Sequence, residues 1–154
     1  MSNPLKIVVV GASGKMGQAL INTISNSPDL LLTGAIDQPS CPTLGVDAGA
    51  LFGIKTEVII NDDFESTIKK GDCLIDFTRP EASMKYLESC IKNNIKYVLG
   101  TTGFSDEEKE KIFLASKKIP ICFAPNMSVG VNLLVSLVEA ATQVLYKDYD
   151  MEII

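Results

Sequence analysis

There is no histidine anywhere in this 154-residue chain. That absence removes the commonest acid–base group near neutral pH and the commonest metal ligand. Cysteine is sparse too. Cys41, Cys73, Cys90 and Cys122 include no C-x-x-C pair, so no zinc or iron site is expected. They read instead as small buried hydrophobes in a reducing cytosol. Long hydrophobic runs are missing. The longest apolar tract, Val129 to Ala141, is broken by Gly130, Asn132, Ser136 and Glu139, which argues against a membrane span. The start, MSNPLK, has no signal-peptide pattern. The expected location is cytoplasmic, with no membrane partner. Positive charge is outnumbered, 14 Lys and Arg against 19 Asp and Glu for a net charge of −5, which argues against a nucleic-acid partner. Lys69–Lys70 and Lys117–Lys118 read as solvated helix ends. No internal repeat or low-complexity segment is evident.

What is present is enough chain for a domain with a full core, and one organising stretch, LKIVVVGASGKMG from Leu5 to Gly17. The β-branched run Ile7 to Val10 reads as a buried parallel strand. It stops at Gly11, the first of three glycines spaced by three: Gly11, Gly14 and Gly17. Apolar residues then recur at helical spacing through Met16, Ala19, Leu20, Ile21 and Ile24. Strand, glycine turn and helix are the context of a dinucleotide fingerprint: a tight turn, close backbone approach to a pyrophosphate, and helix N–H groups facing the phosphates. The pattern is G-x-x-G-x-x-G, with Ser13 where the commoner pattern has its second glycine. A tight turn without a ligand is the plainer alternative. Asp37, 20 residues after Gly17 and at the end of the apolar run Leu30 to Ile36, favours the ligand, because an acid at that strand tip can hold a ribose diol. The pair favours a nicotinamide dinucleotide over FAD or S-adenosylmethionine.

Further along, strands are expected at Lys55–Ile60, Cys73–Phe77, Lys96–Leu99 and Ile121–Ala124, and helices at 61–70, from Pro80 to about Asn93, and from Ser105 to about Lys118. Gln38 to Gly53 is a long loop. Pro80 suits a first helical position, Ser105 to Glu108 form a capping box, and Asn61 or Asp62 should cap the short helix. The alternation predicts an α/β fold, a doubly wound, mostly parallel, Rossmann-like sheet. From Ser128 a broad apolar stripe through Leu133, Leu137 and Leu145 marks a helix, and Tyr149 to Ile154 alternates like a strand. Residues 1–127 are thus expected to form the dinucleotide-binding domain. Residues 128–154 would be a linking helix and the first strand of a second, α+β domain cut off there.

Ligands of such sheets lie beyond the carboxyl ends of the strands. The stretches gathered there are Gly11 to Met16, Asp37–Gln38, Phe77 to Arg79, Gly100 to Phe104 and Ala124 to Ser128. Each also has a plainer reading. GTTGF can be a turn with a helix cap, APNMS an ordinary turn, and Arg79 can pair with Glu81 instead of a phosphate.

VGASGKMG, IDFTRPEA, VLGTTGF and APNMSVGVN, in this order and spacing, resemble the N-terminal domain of the 4-hydroxy-tetrahydrodipicolinate (dihydrodipicolinate) reductase family. The resemblance covers essentially the whole chain. It implies an NAD(P)H-dependent oxidoreductase of lysine and diaminopimelate synthesis, acting on a small molecule and forming a homotetramer when intact. It implies that Gly11, Ala12, Ser13, Gly14, Lys15 and Met16 form the pyrophosphate loop and that Asp37 and Gln38 meet the adenosine ribose. Phe77 and Arg79 join the cofactor site, and Gly100, Thr101, Thr102, Ala124, Pro125, Asn126 and Met127 hold the nicotinamide. Some members carry a basic residue after the acid; Gln38 stands there, so NADH is expected to bind at least as well as NADPH. Met127 replaces an aromatic of some members. The family's His-His-x-x-Lys and Ser-Gly-Thr segments are not in this sequence, so no catalytic residue is assigned and the chain alone is expected to be inactive.

Two alternatives remain: a nucleotide-binding module without catalysis, and another Rossmann-type dehydrogenase. The short-chain class needs Tyr-x-x-x-Lys, but Tyr86, Tyr97, Tyr146 and Tyr149 are followed at that spacing by Cys90, Thr101, Asp150 and Ile153.

Overall fold

The computed structural model describes residues 3–147, 149, 150 and 152. The chain divides into two compact units, Met1–Phe123 and Ala124–Ile154. The first unit is built on six parallel strands: β1 (Leu5–Val10), β2 (Leu30–Ile36), β3 (Ile60–Asn61), β4 (Cys73–Asp76), β5 (Lys96–Leu99) and β6 (Ile121–Phe123). Their order is β3-β2-β1-β4-β5-β6, the Rossmann order. Among the described residues the sheet is wholly parallel.

The pattern of β1 follows from its position. Successive side chains point to opposite faces, and both faces are covered. Ile7 and Val9 share a core with Ile21 and Ile24 of α1 (Lys15–Ser25). Val8 and Val10 share the other core with Leu87 of α3 (Pro80–Asn93) and Ile112 of α4 (Asp106–Ser116). Hence the strand is apolar from Ile7 to Val10 instead of alternating. Pro80 takes the first helical position of α3, where its missing N–H costs no hydrogen bond. Ser105 and Glu108 form the reciprocal capping box of α4.

Three expectations are corrected in the stretch from Lys55 to Lys70. Only Ile60–Asn61 pairs with β2. The strand cannot extend back to Lys55 because the Asp47 carboxylate takes the N–H groups of Thr56 and Glu57, and Glu57 has φ +61°. The short helix, α2 (Phe64–Thr67), is continued by one 3-10 turn over Ile68–Lys70. Its cap is Asp63, which accepts from Ser66 N–H at 3.1 Å; Asn61 accepts instead from the Asp63 N–H and the Thr67 hydroxyl. The expected ends Phe77, Lys118 and Ala124 each fall one or two residues beyond those observed. Cys41, Cys73 and Cys90 are buried as expected, but Cys122 is exposed.

In the second unit the apolar stripe forms α5 (Val129–Leu145), capped by the Ser128 hydroxyl, which accepts from Val131 N–H. None of its residues is buried. The strand expected over 149–154 falls on a stretch where 151, 153 and 154 lie outside the described residues.

Gly17 sets how close α1 comes to the end of β1. A Cβ there would lie 2.1 Å from the Gly11 carbonyl oxygen and 2.8 Å from the Ala12 Cα, and backbone cannot yield as a side-chain tip can. Gly17→Ala is expected to destabilise the fold by about 1–3 kcal/mol or more, read from urea denaturation; an unchanged midpoint would mean the helix can shift freely.

Candidate functional site

The site is assembled from the turns at the carboxyl ends of β1, β2 and β4, with the turn after β5 packed against the last of these. The first turn leaves β1 through Gly11 at φ +67°, a conformation that side chains rarely adopt. A Cβ there would also meet Thr78 Cγ2 at 3.0 Å. The turn's own N–H groups are consumed internally. Ala12 N–H donates to the Ile36 carbonyl, and Gly14 N–H to the Gly11 carbonyl. Ser13 N–H donates to Asp37 Oδ2 at 2.8 Å. Gly14 then precedes α1 with φ −69°, ψ 161° and offers no side-chain cap. Its usefulness there is the lack of a side chain, not freedom of rotation. No donor–acceptor pair among the described residues engages the N–H groups of Lys15, Met16 or Gly17. They are the open donors at the positive end of a helix dipole.

Asp37, just past β2, is held by the same turn. Its Oδ2 accepts from both the N–H and the hydroxyl of Ser13, and its Oδ1 accepts from Gln38 N–H at 2.8 Å. The Cys41 thiol in turn donates to the Ser13 hydroxyl at 3.2 Å. A carboxylate offers about four acceptor positions. Three are taken within the protein, so a diol approaching Asp37 competes with the Ser13 hydroxyl.

A cleft of about 410 Å³ lies in front of these groups. It brings together Gly11, Ser13, Gly14, Asp37, Gln38, Phe77 and Arg79, seven of the residues expected from the sequence, and adds Thr78, Ala82 and Tyr86. A larger, mostly apolar cavity of about 480 Å³, lined by Cys73, Lys96, Pro120 and Cys122 among others, lies toward the amino ends of β4 to β6. The opposite end is where doubly wound sheets bind ligands, so the smaller cleft is the candidate.

Arg79 precedes Pro80 in an extended conformation, φ −135°, ψ 150°, as a residue before proline must. Its side chain makes no ion pair among the described residues; the alternative pairing with Glu81 does not form. Gly100 fits beneath Phe77: a Cβ there would lie 2.0 Å from the Phe77 ring. Thr101 is buried and Thr102 exposed. Lys15 and Met16 are exposed in the first turn of α1, and Ala12 is buried. Ala124, Pro125, Asn126 and Met127 belong to the second unit. There the Asn126 side chain accepts from Ser128 N–H at 2.8 Å and its carbonyl from Asn132 Nδ2 at 3.3 Å.

Two groups escaped the sequence reading. Tyr86 lines the cleft from α3, and its phenol is pushed up by burial and then by the charges of Asp76 and Asp37; its ring lies 4.4 Å from that of Phe64, tilted by 42°. Asp76, at the end of β4, is fully buried. Thr78 lies in the Phe77 to Arg79 stretch that the sequence places at the strand ends. Nothing in the spacing marks Asp76 or Tyr86. Among the described residues, no group of three or more His, Cys, Asp or Glu could hold a metal, and no helix is long and apolar enough to cross a membrane.

The strand order and the glycine turn define a Rossmann-like domain. Comparison with known proteins narrows the class. The family described as dihydrodipicolinate reductase, N-terminus, matches residues 5–127, and the chain belongs to that family. It is 44% identical over 151 residues to the 4-hydroxy-tetrahydrodipicolinate reductase of Neisseria meningitidis serogroup B and 50% identical over 150 residues to that of Nitrosomonas eutropha. These alignments cover 98% and 97% of this chain and 56% of each relative. The chain thus spans little more than half the length of the curated relatives it matches. Among solved structures, the dipicolinate-bound dihydrodipicolinate reductase of Paenisporosarcina sp. TG-14 superposes with a TM-score of 0.74 at 28% identity, over 90% of this chain and 54% of that one.

Because the Arg79 side chain makes no ion pair among the described residues, Arg79→Ala is expected to change stability by no more than about 0.5 kcal/mol. Urea denaturation of the purified variant checks this. A loss of several times that size would give the guanidinium a structural role.

Proposed function

We propose that this chain carries the cofactor-binding half of an NAD(P)H-dependent 4-hydroxy-tetrahydrodipicolinate reductase. Residues 1–127 form the dinucleotide-binding domain, and 128–154 open a substrate and oligomerisation domain of a homotetramer. The observation that carries the cofactor assignment is the pairing of two features: open N–H donors of Lys15, Met16 and Gly17 at the start of α1, and an acid, Asp37, fixed by the same turn. Pyrophosphate oxygens suit the former and ribose hydroxyls the latter. In this reading Phe77 and Arg79 bound the adenosine side. Gly100, Thr101 and Thr102 hold the nicotinamide, a role taken from the family resemblance. The cofactor would supply a hydride. The protein's part is to bind it, orient it and keep its charged groups paired. The small-molecule substrate is the one named for the curated relatives.

Titration with NADH, followed by fluorescence, tests the assignment. Gly14→Val is expected to keep its fold at some cost in stability, since φ −69° suits any residue but a Cβ 3.2 Å from the Gly11 carbonyl oxygen makes that backbone give by a few tenths of an ångström. It should lose NADH affinity at least tenfold, because the branched side chain fills the approach to the first turn of α1. Unchanged affinity in a folded variant would reduce the turn to a structural device.

NADH is expected to bind at least as well as NADPH. A 2′-phosphate would meet the Asp37 charge, and Gln38 offers no cation, a conflict of about 1–3 kcal/mol. Calorimetry with both cofactors checks it. A tenfold preference for NADPH that vanishes in Arg79→Ala would overturn the expectation and give the phosphate to Arg79.

A further inference from the structure

The least explained group in the first unit is Asp76. It is 0% exposed, and no cation pairs with it among the described residues. A buried carboxylate without a cation is costly unless hydrogen bonds saturate it, and here they do. Oδ1 accepts from Thr78 N–H at 2.8 Å and from the Thr78 hydroxyl at 2.6 Å, with the Thr101 hydroxyl 3.4 Å away. Oδ2 accepts from the Ser83 hydroxyl at 2.6 Å and the Tyr97 phenol at 2.6 Å. Ser83 and Thr101 are themselves 3.1 Å apart, so the Thr101 hydroxyl is shared between Ser83 and Asp76.

The donors come from four places: the turn after β4, α3, β5 and the turn after β5. Anchoring α3 to β5 would need only Oδ2 with Ser83 and Tyr97. The Oδ1 side does something else. It ties the backbone and hydroxyl of Thr78 to the same atom that Thr101 approaches, and so joins the Phe77–Arg79 turn to the Gly100–Thr102 turn. The two turns also meet directly, where Phe77 lies over Gly100. Phe77 and Arg79 face the cleft, while Thr102 is exposed on the next turn.

We infer that Asp76 is a positioning residue: it touches no cofactor but locks the β4 and β5 turns into one cradle, so that the two ends of a bound dinucleotide meet loops held in register. The inference rests on the cofactor reading above and adds to it the residue that couples its two halves.

The test is NADH titration of the 154-residue chain and its variants, with urea midpoints measured alongside. Thr78→Val keeps the shape and deletes the hydroxyl. It should weaken NADH binding at least fivefold in a variant that stays folded, with a midpoint lowered by the loss of one hydrogen bond to the buried carboxylate. Thr78→Ser, which restores the hydroxyl, should bind within twofold of the unsubstituted chain. Because Thr78 and Thr101 act through one oxygen, Thr78→Val and Thr101→Val combined should weaken binding by clearly less than the product of the two single effects. Asp76→Asn replaces one accepting carboxylate oxygen by an amide N–H₂, forcing hydroxyls that now donate to accept instead, and should lose at least tenfold; if that variant does not fold, the threonine variants carry the test. Thr78→Val binding NADH normally would overturn the inference alone, as would Thr78→Ser being as weak as Thr78→Val, or fully multiplicative threonine effects. Failure of the unsubstituted chain to bind either NADH or NADPH would overturn the cofactor reading, and this inference with it.

Discussion

The contact on which the first unit turns is the approach of Gly17 to the Gly11 carbonyl, too close for any Cβ. It presses the first turn of α1 against the end of β1. The short turn between them then has nowhere to send its N–H groups except inward: to Ile36, to Gly11 and to Asp37. Two consequences follow from one missing side chain. The donors left open are those of α1 itself, aligned with its dipole. The acid at the tip of β2 is bound to the turn, so donor and acceptor are delivered to the cleft as one rigid piece.

The topology supplies the opposite wall. From β1 the chain winds outward to β2 and β3, then returns to place β4 on the other side of β1. Loops leaving β1 and β4 therefore diverge to opposite faces of the sheet, α1 on one and α3 on the other, and a crevice opens between them. Asp37 reaches it from one side and the Phe77–Arg79 turn from the other. A close steric link across it is Thr78 against Gly11, whose added Cβ would stand 3.0 Å from the threonine methyl. Glycine at position 11 thus serves twice, in the turn's positive φ and in the narrowness of the crevice floor.

Much of this was legible from residues alone because the signals are local. A strand buried on both faces writes a continuous apolar run, a proline after an extended arginine opens a helix, and Ser105 with Glu108 closes a capping box within four residues. Asp37 was legible because its role depends on a fixed distance from the glycine turn. What could not be read depends on contacts made after folding. Asp76 looks like any acid at the end of a strand; its character comes from Tyr97 and Thr101, 21 and 25 residues away. Tyr86 sits on a helix whose facing is decided by packing against Phe64. The lost strand at Lys55 shows the same limit in reverse. KTEVII has the composition of a strand, but the Asp47 carboxylate, 10 residues before Glu57, takes the N–H groups the ladder needed. The Arg79 alternatives were open for a simpler reason: spacing on α3 allows a pair with Glu81, and only the structure shows that it is not made.

The electrostatics of the described residues fit binding better than proton transfer. Burial moves the perturbed groups near the sheet away from neutrality: Cys73 to about 11 and Cys90 to about 12, and the Tyr86 and Tyr97 phenols further above their usual range, with the Asp76 charge adding to both. A group that exchanges protons efficiently should lie near the working pH, and these shifts run the other way. Cys41 is the exception, drawn down by hydrogen bonds with Ser13 and then Thr43, yet its thiol donates to the Ser13 hydroxyl that orients Asp37. The site's charges are likewise arranged for holding. Asp37 is engaged by the turn, Asp76 is saturated by hydroxyls, and Arg79 faces the cleft without an ion-pair partner among the described residues. Under the proposed function, these are the groups that would hold an anionic dinucleotide and aim it.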